Sequence, residues 1–297
     1  MTQSDVARYT WGGDEFLFAE IAEGMSLEAN FISNSIANAL EMKELEGIVD
    51  ICPANASLLI RFNPDLLASG ELERTVRKLE QEVRATTSRT LETRIVEIPV
   101  WYNDPYTNET GARFREGYHQ RPDGNDLDYA AEVNGLADAA EFIKRHHESP
   151  WLVSMVGFVA GLPFLFQLVD REHQLEVPKY LSPRTDTPAL TIGHGGCFSC
   201  IYSVRGAGGY QMFGVAAAPI FDPSQSLEDF EDFMVFFKPG DIVKFKPVDE
   251  AEYFRIRAEV EAGTFTYRQA PIVFDVGAAL ADPDGYKVSL VEALNGI

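Results

Sequence analysis

The sequence predicts an α+β protein in two parts: a ferredoxin-like domain over residues 1–95 and a β-barrel domain over residues 96–297. Three observations predict it. In the first hundred residues the apolar pattern switches between period two and period 3.6 in the order strand, helix, strand, strand, helix, strand. In the last half, short apolar pieces are broken every few residues by Gly or Pro, the punctuation of many tight strands. Apolar residues make up 45% of the 297, enough for a packed core.

In the first part, Phe16 and Phe18 sit at period two and mark a strand. Residues 26–43 follow as a helix, with Ala29, Ile32, Ile36 and Leu40 on one stripe. Ile48 to Cys52 reads as a strand, Pro53-Ala54-Asn55 as a turn, and Leu58, Ile60 and Phe62 as the next strand. A second helix covers about 66–86 through Leu72, Val76, Leu79 and Val83, and Val96, Ile98 and Val100 give a fourth strand. The stretch to Asn125 is polar and turn-rich. Beyond it Leu136, Ala140 and Ile143 share a helical stripe that ends at His146 and His147, where a surface cap is the ordinary role for at least one of the pair. Short strands recur near 151–158, 163–169, 190–192, 198–204, 210–215 and 242–246, followed by a helix over 249–262 and a strand over 265–275.

Charge limits the function classes. The balance of 25 basic against 46 acidic residues gives −21, which repels phosphate backbones and anionic lipid and so argues against nucleic acid and membrane partners. Trp151 to Val169 is uncharged for 19 residues, near the length of a spanning helix, but Pro163 would break such a helix. Two buried strands joined by a turn read better. Three cysteines form no disulfide framework, and residues 1–10 hold no apolar signal core, so a cytoplasmic location is expected.

Motifs for chemistry are sparse. Cys197-Phe198-Ser199-Cys200 has no second pair to complete a zinc site and lies in a strand pattern, so no metal is expected. Gly206-Ala207-Gly208-Gly209 has neither the Lys of a phosphate loop nor a following helix, and reads as an anion cradle or a tight hairpin. Met42-Lys43 lies inside a helix and is no biotin-attachment site. The residues alone reach a two-domain protein whose candidate site lies between Gly157 and Pro223, where paired glycines near His194, Arg205 and Gln211 let backbone approach a small ligand.

That stretch resembles the KipI family: subunit-1 proteins of 5-oxoprolinase and allophanate-hydrolase-type pairs, and the first half of the carboxyltransferase region of urea carboxylase. The likeness rests on Gly157-Phe158, Gly161-Leu162-Pro163-Phe164-Leu165, Pro178-Lys179, Pro183-Arg184, Thr187-Pro188-Ala189, Ile201-Tyr202 and Gly208-Gly209-Tyr210-Gln211. Outside it, Ile98-Pro99-Val100, Asp126-Leu127 and Gly135-Leu136 resemble further family signals. Asn134-Gly135-Leu136 and Tyr210 lean toward the urea carboxylase branch. Two departures stand out: Gly214-Val215-Ala216 replaces the family's Gly-Arg-Thr, and Lys179 replaces an Arg.

The resemblance implies a cyclophilin-like β-barrel after the ferredoxin-like domain, and a homologous subunit 2 as partner. It implies transfer of CO₂ to an amide, urea or related small acceptor from biotin on a partner chain, with ATP used by another chain and no cofactor held here. Under that chemistry Arg184 and Lys179 suit anion binding, and His194 and Tyr202 suit proton handling. Gln211, Tyr210 and the glycines Gly195, Gly196, Gly208 and Gly209 suit substrate binding. ATP-dependent lactam opening of the 5-oxoprolinase type is the alternative enzyme reading. Regulation of a sensor histidine kinase, as by a family namesake, is the non-enzymatic one, and the departures keep it in play.

Overall fold

A computed structural model describes residues 6–86 and 89–296. The first five residues, part of the stretch read above for a signal core, lie outside the described residues. The chain parts into two units, one of residues 1–91 with 274–281, the other of 92–273 with 282–297.

The first unit runs β1 (Arg8–Gly12), β2 (Phe16–Glu20), α1 (Leu27–Glu41), β3 (Ile48–Pro53), β4 (Ser57–Phe62) and α2 (Ser69–Ala85). Its sheet has the order β1-β2-β4-β3, all antiparallel. Three strands and both helices stand where the apolar periodicity puts them. The fourth strand differs: residues 96–100 join the other unit, and β1 takes the edge beside β2. Ala7, Tyr9 and Trp11 stand at period two, a short strand signal for β1. The strand is also tied to Glu80 on α2, a buried carboxylate that accepts the Ala7 N–H at 2.6 Å and the Tyr9 hydroxyl at 2.7 Å. Ser26 caps α1 by accepting the Ala29 N–H, and Ile32, Ile36 and Leu40 of α1 pack with Leu72, Val76 and Leu79 of α2 over Leu58, Ile60 and Phe62.

The chain enters the second unit along β5 (Thr90–Tyr102), followed by three helices, α3 (Pro105–Arg113), α4 (Asp126–Val133) and α5 (Ala139–Glu148). Strands β6 (Pro150–Val156), β7 (Pro163–Gln167), β8 (Arg184–Thr187), β9 (Thr191–Gly195), β10 (Phe198–Ile201), β11 (Gly206–Gly208), β12 (Gln211–Ala216) and β13 (Ile242–Pro247) follow. Last come α6 (Glu250–Glu261), β14 (Gln269–Asp275), α7 (Val276–Ala281, within the first unit) and α8 (Pro283–Asn295). Seven strands close a barrel in the order β12-β9-β10-β7-β6-β13-β5, because β5 pairs back onto β12; β14 lies outside the ring beside β5. The uncharged run from Trp151 is β6 and β7, an antiparallel pair, and among the described residues no helix is long and apolar enough to cross a membrane.

Strand parity sorts the barrel. Inward residues such as Ile98, Trp151, Leu165, Ile192 and Phe213 form its core. On the outer wall Cys200 of β10 forms a second, smaller cluster with Leu162, Tyr202 and Tyr210 of the flanking connections, with Phe164 of β7 and Phe198 of β10 beside it. The short ribbon β8–β11 pairs Arg184 with Gly208.

Candidate functional site

Glycine makes the outer wall of the barrel accessible. Across β7, β10 and β9 the outward row reads Phe164, Cys200, Gly193, and the next outward position on β9 is Gly195. A Cβ on Gly193 would lie 2.8 Å from the Tyr202 ring, and one on Gly195 would lie 2.4 Å from the Tyr210 ring. A Cβ on Gly208 would lie 2.4 Å from the Tyr202 hydroxyl. Missing side chains thus let two tyrosines lie flat on backbone. The result is a cleft of about 350 Å³ walled by Phe158, Leu162, Phe164, Tyr180, Tyr202 and Tyr210, with Lys179, Pro183, Cys200, Gly208 and Gly209 completing it. Phe158 stands on this lining 76% exposed and in the left-handed region at φ 71°, a strained backbone for a bulky side chain.

Two cations belong to the cleft. Lys179 is exposed, and its Nζ lies 5.2 Å from the Tyr210 ring centre. Arg184 is fully buried behind the lining, its guanidinium 4.4 Å from the Tyr180 ring centre. Its Nε donates to Thr187 Oγ1 at 3.3 Å, while Nη1 and Nη2 have no hydrogen-bond partner among the described residues. The Tyr202 hydroxyl accepts the Tyr210 N–H at 3.3 Å. Burial pushes the Tyr202 phenol well above its usual range, and the charge of Arg184 offsets part of that. At neutral pH Tyr202 is therefore a hydrogen-bond donor.

Tyr180 is fixed from behind by a buried hub. Its hydroxyl donates to both oxygens of Asp126, at 2.9 and 2.8 Å. Asp126 also accepts Arg115 Nη2 at 2.6 Å and the Met212 N–H at 2.8 Å. In the sequence Asp126 is legible only as a helix signal, and nothing local marks Tyr180, Phe164 or Cys200 as cleft residues beyond the alternation of β7 and β10 that turns Phe164 and Cys200 outward.

The structure separates the expected site residues. Lys179, Tyr202, Gly208, Gly209 and Tyr210 meet at the cleft with Arg184 behind them. Gly195 lies under the Tyr210 ring. His194 does not join them: as the neighbour of Gly193 and Gly195 on β9 it takes the opposite parity and points into the barrel. There its ring lies 5.7 Å from Trp151 and 6.2 Å from His146, and its Nε2 donates to the Leu175 carbonyl at 3.0 Å. Burial lowers His194 to about 4, so it is a neutral core imidazole. Gln211, paired with His194 across β9 and β12, shares that parity. Its Nε2 donates to the Pro178 carbonyl at 2.9 Å, and its Oε1 faces His119 Nε2 at 2.8 Å. His119 Nδ1 accepts the Arg121 N–H, so Nε2 carries the proton, and both ends of the Gln211 amide are held inside the protein. The N–H of Gly196 is taken by the Val177 carbonyl at 2.7 Å and is unavailable to a substrate.

His146, met as one of a pair at a helix end, is also buried, with Nδ1 accepting the Tyr102 hydroxyl at 2.8 Å and Nε2 donating to Ser199 Oγ at 3.2 Å. Cys200 and His194 face opposite sides of the barrel wall. Among the described residues one group has metal-ligand spacing, Asp170, His173 and Asp284, at the surface, where Lys287 already pairs with Asp284 at 2.8 Å.

Fold and cleft together define a barrel protein with a ligand-sized, cation-bearing cleft on its outer wall. The chain belongs to the family described as carboxyltransferase domain, subdomain C and D, whose model matches residues 7–229. It is 28% identical over 273 residues to urea amidolyase of Lachancea kluyveri, a match covering 90% of this chain and 15% of that protein. It is 27% identical over 256 residues to a 5-oxoprolinase subunit from Bacillus subtilis, covering 83% of this chain and 95% of that one. The crystal structure of urea amidolyase from K. lactis superposes with a TM-score of 0.83 at 25% identity, over 97% of this chain and 18% of that one. The chain thus spans a small fraction of the urea amidolyases and nearly the whole of the oxoprolinase subunit.

Proposed function

We propose that this chain is the carboxyltransferase-type component of a biotin-dependent carboxylase, acting on a small amide, urea or related acceptor together with a homologous second subunit. Finer assignments follow from the same reading: a cyclophilin-like barrel, a ferredoxin-like origin for the small sheet, and a cytoplasmic protein. The observation that carries the proposal is an aromatic cleft with one cation on its rim and one buried behind its lining, neither ion-paired with an acid among the described residues, in a chain of this family.

The cleft suits the group the reading requires, since Arg184 leaves two buried guanidinium nitrogens without partners among the described residues. Biotin on a partner chain would supply the carboxyl group. Lys179 and Arg184 hold anionic oxygens as charge shifts between donor and acceptor. Tyr202, fixed by the Tyr210 N–H, donates a hydrogen bond to an oxygen in the cleft. Phe164 and Tyr210 present apolar surface to the reacting carboxyl. None of the lining residues is a carboxylate or an imidazole, and the expected His194 faces the other way. The group that takes the acceptor's proton therefore comes from outside this lining, which fits a site completed by the second subunit.

Isolation of the tagged chain from its host, followed by identification of bound chains and streptavidin blotting, tests the proposal. A second subunit with a biotinylated chain is the expected result. A second subunit without biotin shifts the reading to lactam opening, which the near-complete match in length to the Bacillus 5-oxoprolinase subunit favours as the alternative. A sensor kinase alone would overturn both.

A further inference from the structure

We infer that the turn joining β6 to β7, residues 157–161, is a flap that folds Phe158 over the cleft once the cleft is filled; this rests on reading the cleft as a ligand site, whatever the ligand. One end of the turn is anchored. Gly161, at φ 71°, has Phe221 3.0 Å from where its Cβ would stand. The Ser203 hydroxyl donates to the Ala160 carbonyl, and the Leu162 N–H donates to the Val159 carbonyl at 3.2 Å. The other end is free to turn. The Gly157 N–H closes the base of the turn on the Leu162 carbonyl at 3.0 Å, and beyond that bond the Phe158 N–H and carbonyl have no hydrogen-bond partner among the described residues. Apart from its chain neighbours, a Cβ on Gly157 would meet nothing nearer than Met155 Cε at 3.9 Å.

Phe158 sits at φ 71°, where glycine would serve the turn without steric cost. Strain of this kind persists only where the surroundings impose it, and here they give the ring little in return, since it is 76% exposed. Turning Phe158 back to negative φ relieves the strain and breaks no hydrogen bond of its own. The cleft offers a place for the ring. β7, β10 and β9 lie side by side beneath it, with Phe158 on the loop that enters β7, and Tyr210 and Lys179 over Gly195 of β9. Two strand spacings make that gap about 10 Å, which a phenylalanine leaning from one side largely covers. In the empty cleft of about 350 Å³ an inward ring finds few contacts. An occupant supplies the missing face, so closure follows binding.

Stopped-flow mixing of the full chain with the neutral dye N-phenyl-1-naphthylamine, which brightens in apolar surroundings, tests this. Closure after binding gives two phases, a first whose rate rises with dye concentration and a second whose rate levels off. Phe158→Ala, at an exposed position that folding does not depend on, is expected to abolish the second phase and speed dye release about tenfold. Gly157→Ala keeps the ring but stiffens the pivot, and should slow the second phase about two- to fivefold. Gly195→Ala, which drives the Tyr210 ring off its seat, should weaken the dye. No dye binding, single-phase binding, a second phase that survives Phe158→Ala, or a dye site indifferent to Gly195→Ala each overturns the inference; a second phase that survives leaves Phe158 as an anchor for another chain. A biotinylated partner together with single-phase binding overturns only the flap, whereas two phases without a biotinylated partner overturn only the transfer reading.

Discussion

Gly195→Ala is a sharp test of how the cleft is built. The backbone there is ordinary strand, so alanine is conformationally acceptable and the cost is steric alone. The new Cβ would lie 2.4 and 2.5 Å from Cδ1 and Cε1 of Tyr210 and 2.9 Å from Cγ of Lys179. Carbon atoms rest at about 3.5–4.0 Å, so the ring must retreat by roughly 1 Å. It packs with Leu162, Cys200 and Tyr202, with Phe164 6.2 Å away edge-on, so its retreat gives up those contacts and intrudes on the cleft it lines. Overpacking of this kind costs about 1–3 kcal/mol. Denaturant unfolding of the full chain should show a lower midpoint with unchanged slope. The same substitution placed on a Tyr210→Ala background should cost close to nothing, because the obstructing ring is gone and the lysine stem can swing. A double-mutant cycle reads that coupling directly. Equal cost on both backgrounds would refute the account of why glycine occupies this position.

Asp126→Asn puts an amide N–H₂ among donors and leaves Arg115 without its anion, at an expected loss of about 3–5 kcal/mol, measured by the same unfolding experiment. Stability should also fall in acid. His194 and His146 are held neutral by burial, so the unfolded chain binds more protons below pH 6.5, and stability present above that pH is lost as pH falls toward about 4 for His194. That histidine contributes roughly 3 kcal/mol across the window, and His194→Phe should flatten the pH dependence of the unfolding midpoint by that amount. Thiol alkylation of the folded protein should mark Cys52 and spare Cys200, as read by peptide mass mapping. Even Cys52 should react slowly, since partial burial and Asp50 push its thiol up to about 11. Labelling of Cys200 as fast as Cys52 would contradict the packing of the cleft floor.

Periodicity carries a long way in this chain because most elements are amphipathic. The stripes of α1 and α2, the alternation of β4, and the break at Pro163 all reappear in space. What periodicity does not carry is partnership. β1 is an edge strand held by a buried glutamate 71 and 73 residues from the groups it accepts, and β5 alternates equally well for either sheet. The ribbon of β8 and β11 is three or four residues a side and rich in turn formers, so its strands are invisible locally. At the site, proximity in sequence misled. His194 stands between the two glycines that open the cleft, and for that very reason its side chain lies on the opposite face. Gln211 follows a cleft tyrosine and is turned inward by the same alternation. Arg184, Lys179 and Tyr202, singled out through the family resemblance and not by any local pattern, stand at the cleft or directly behind it.

Closure of the barrel also sets a schedule for synthesis. β5 lies parallel to β13, with Ile95 opposite Ile242, so the ring cannot close until 147 further residues have been made. At about 5–20 residues per second that is roughly 7–30 s on the ribosome. During that interval β5 and β6 each present an unpaired apolar edge to their surroundings.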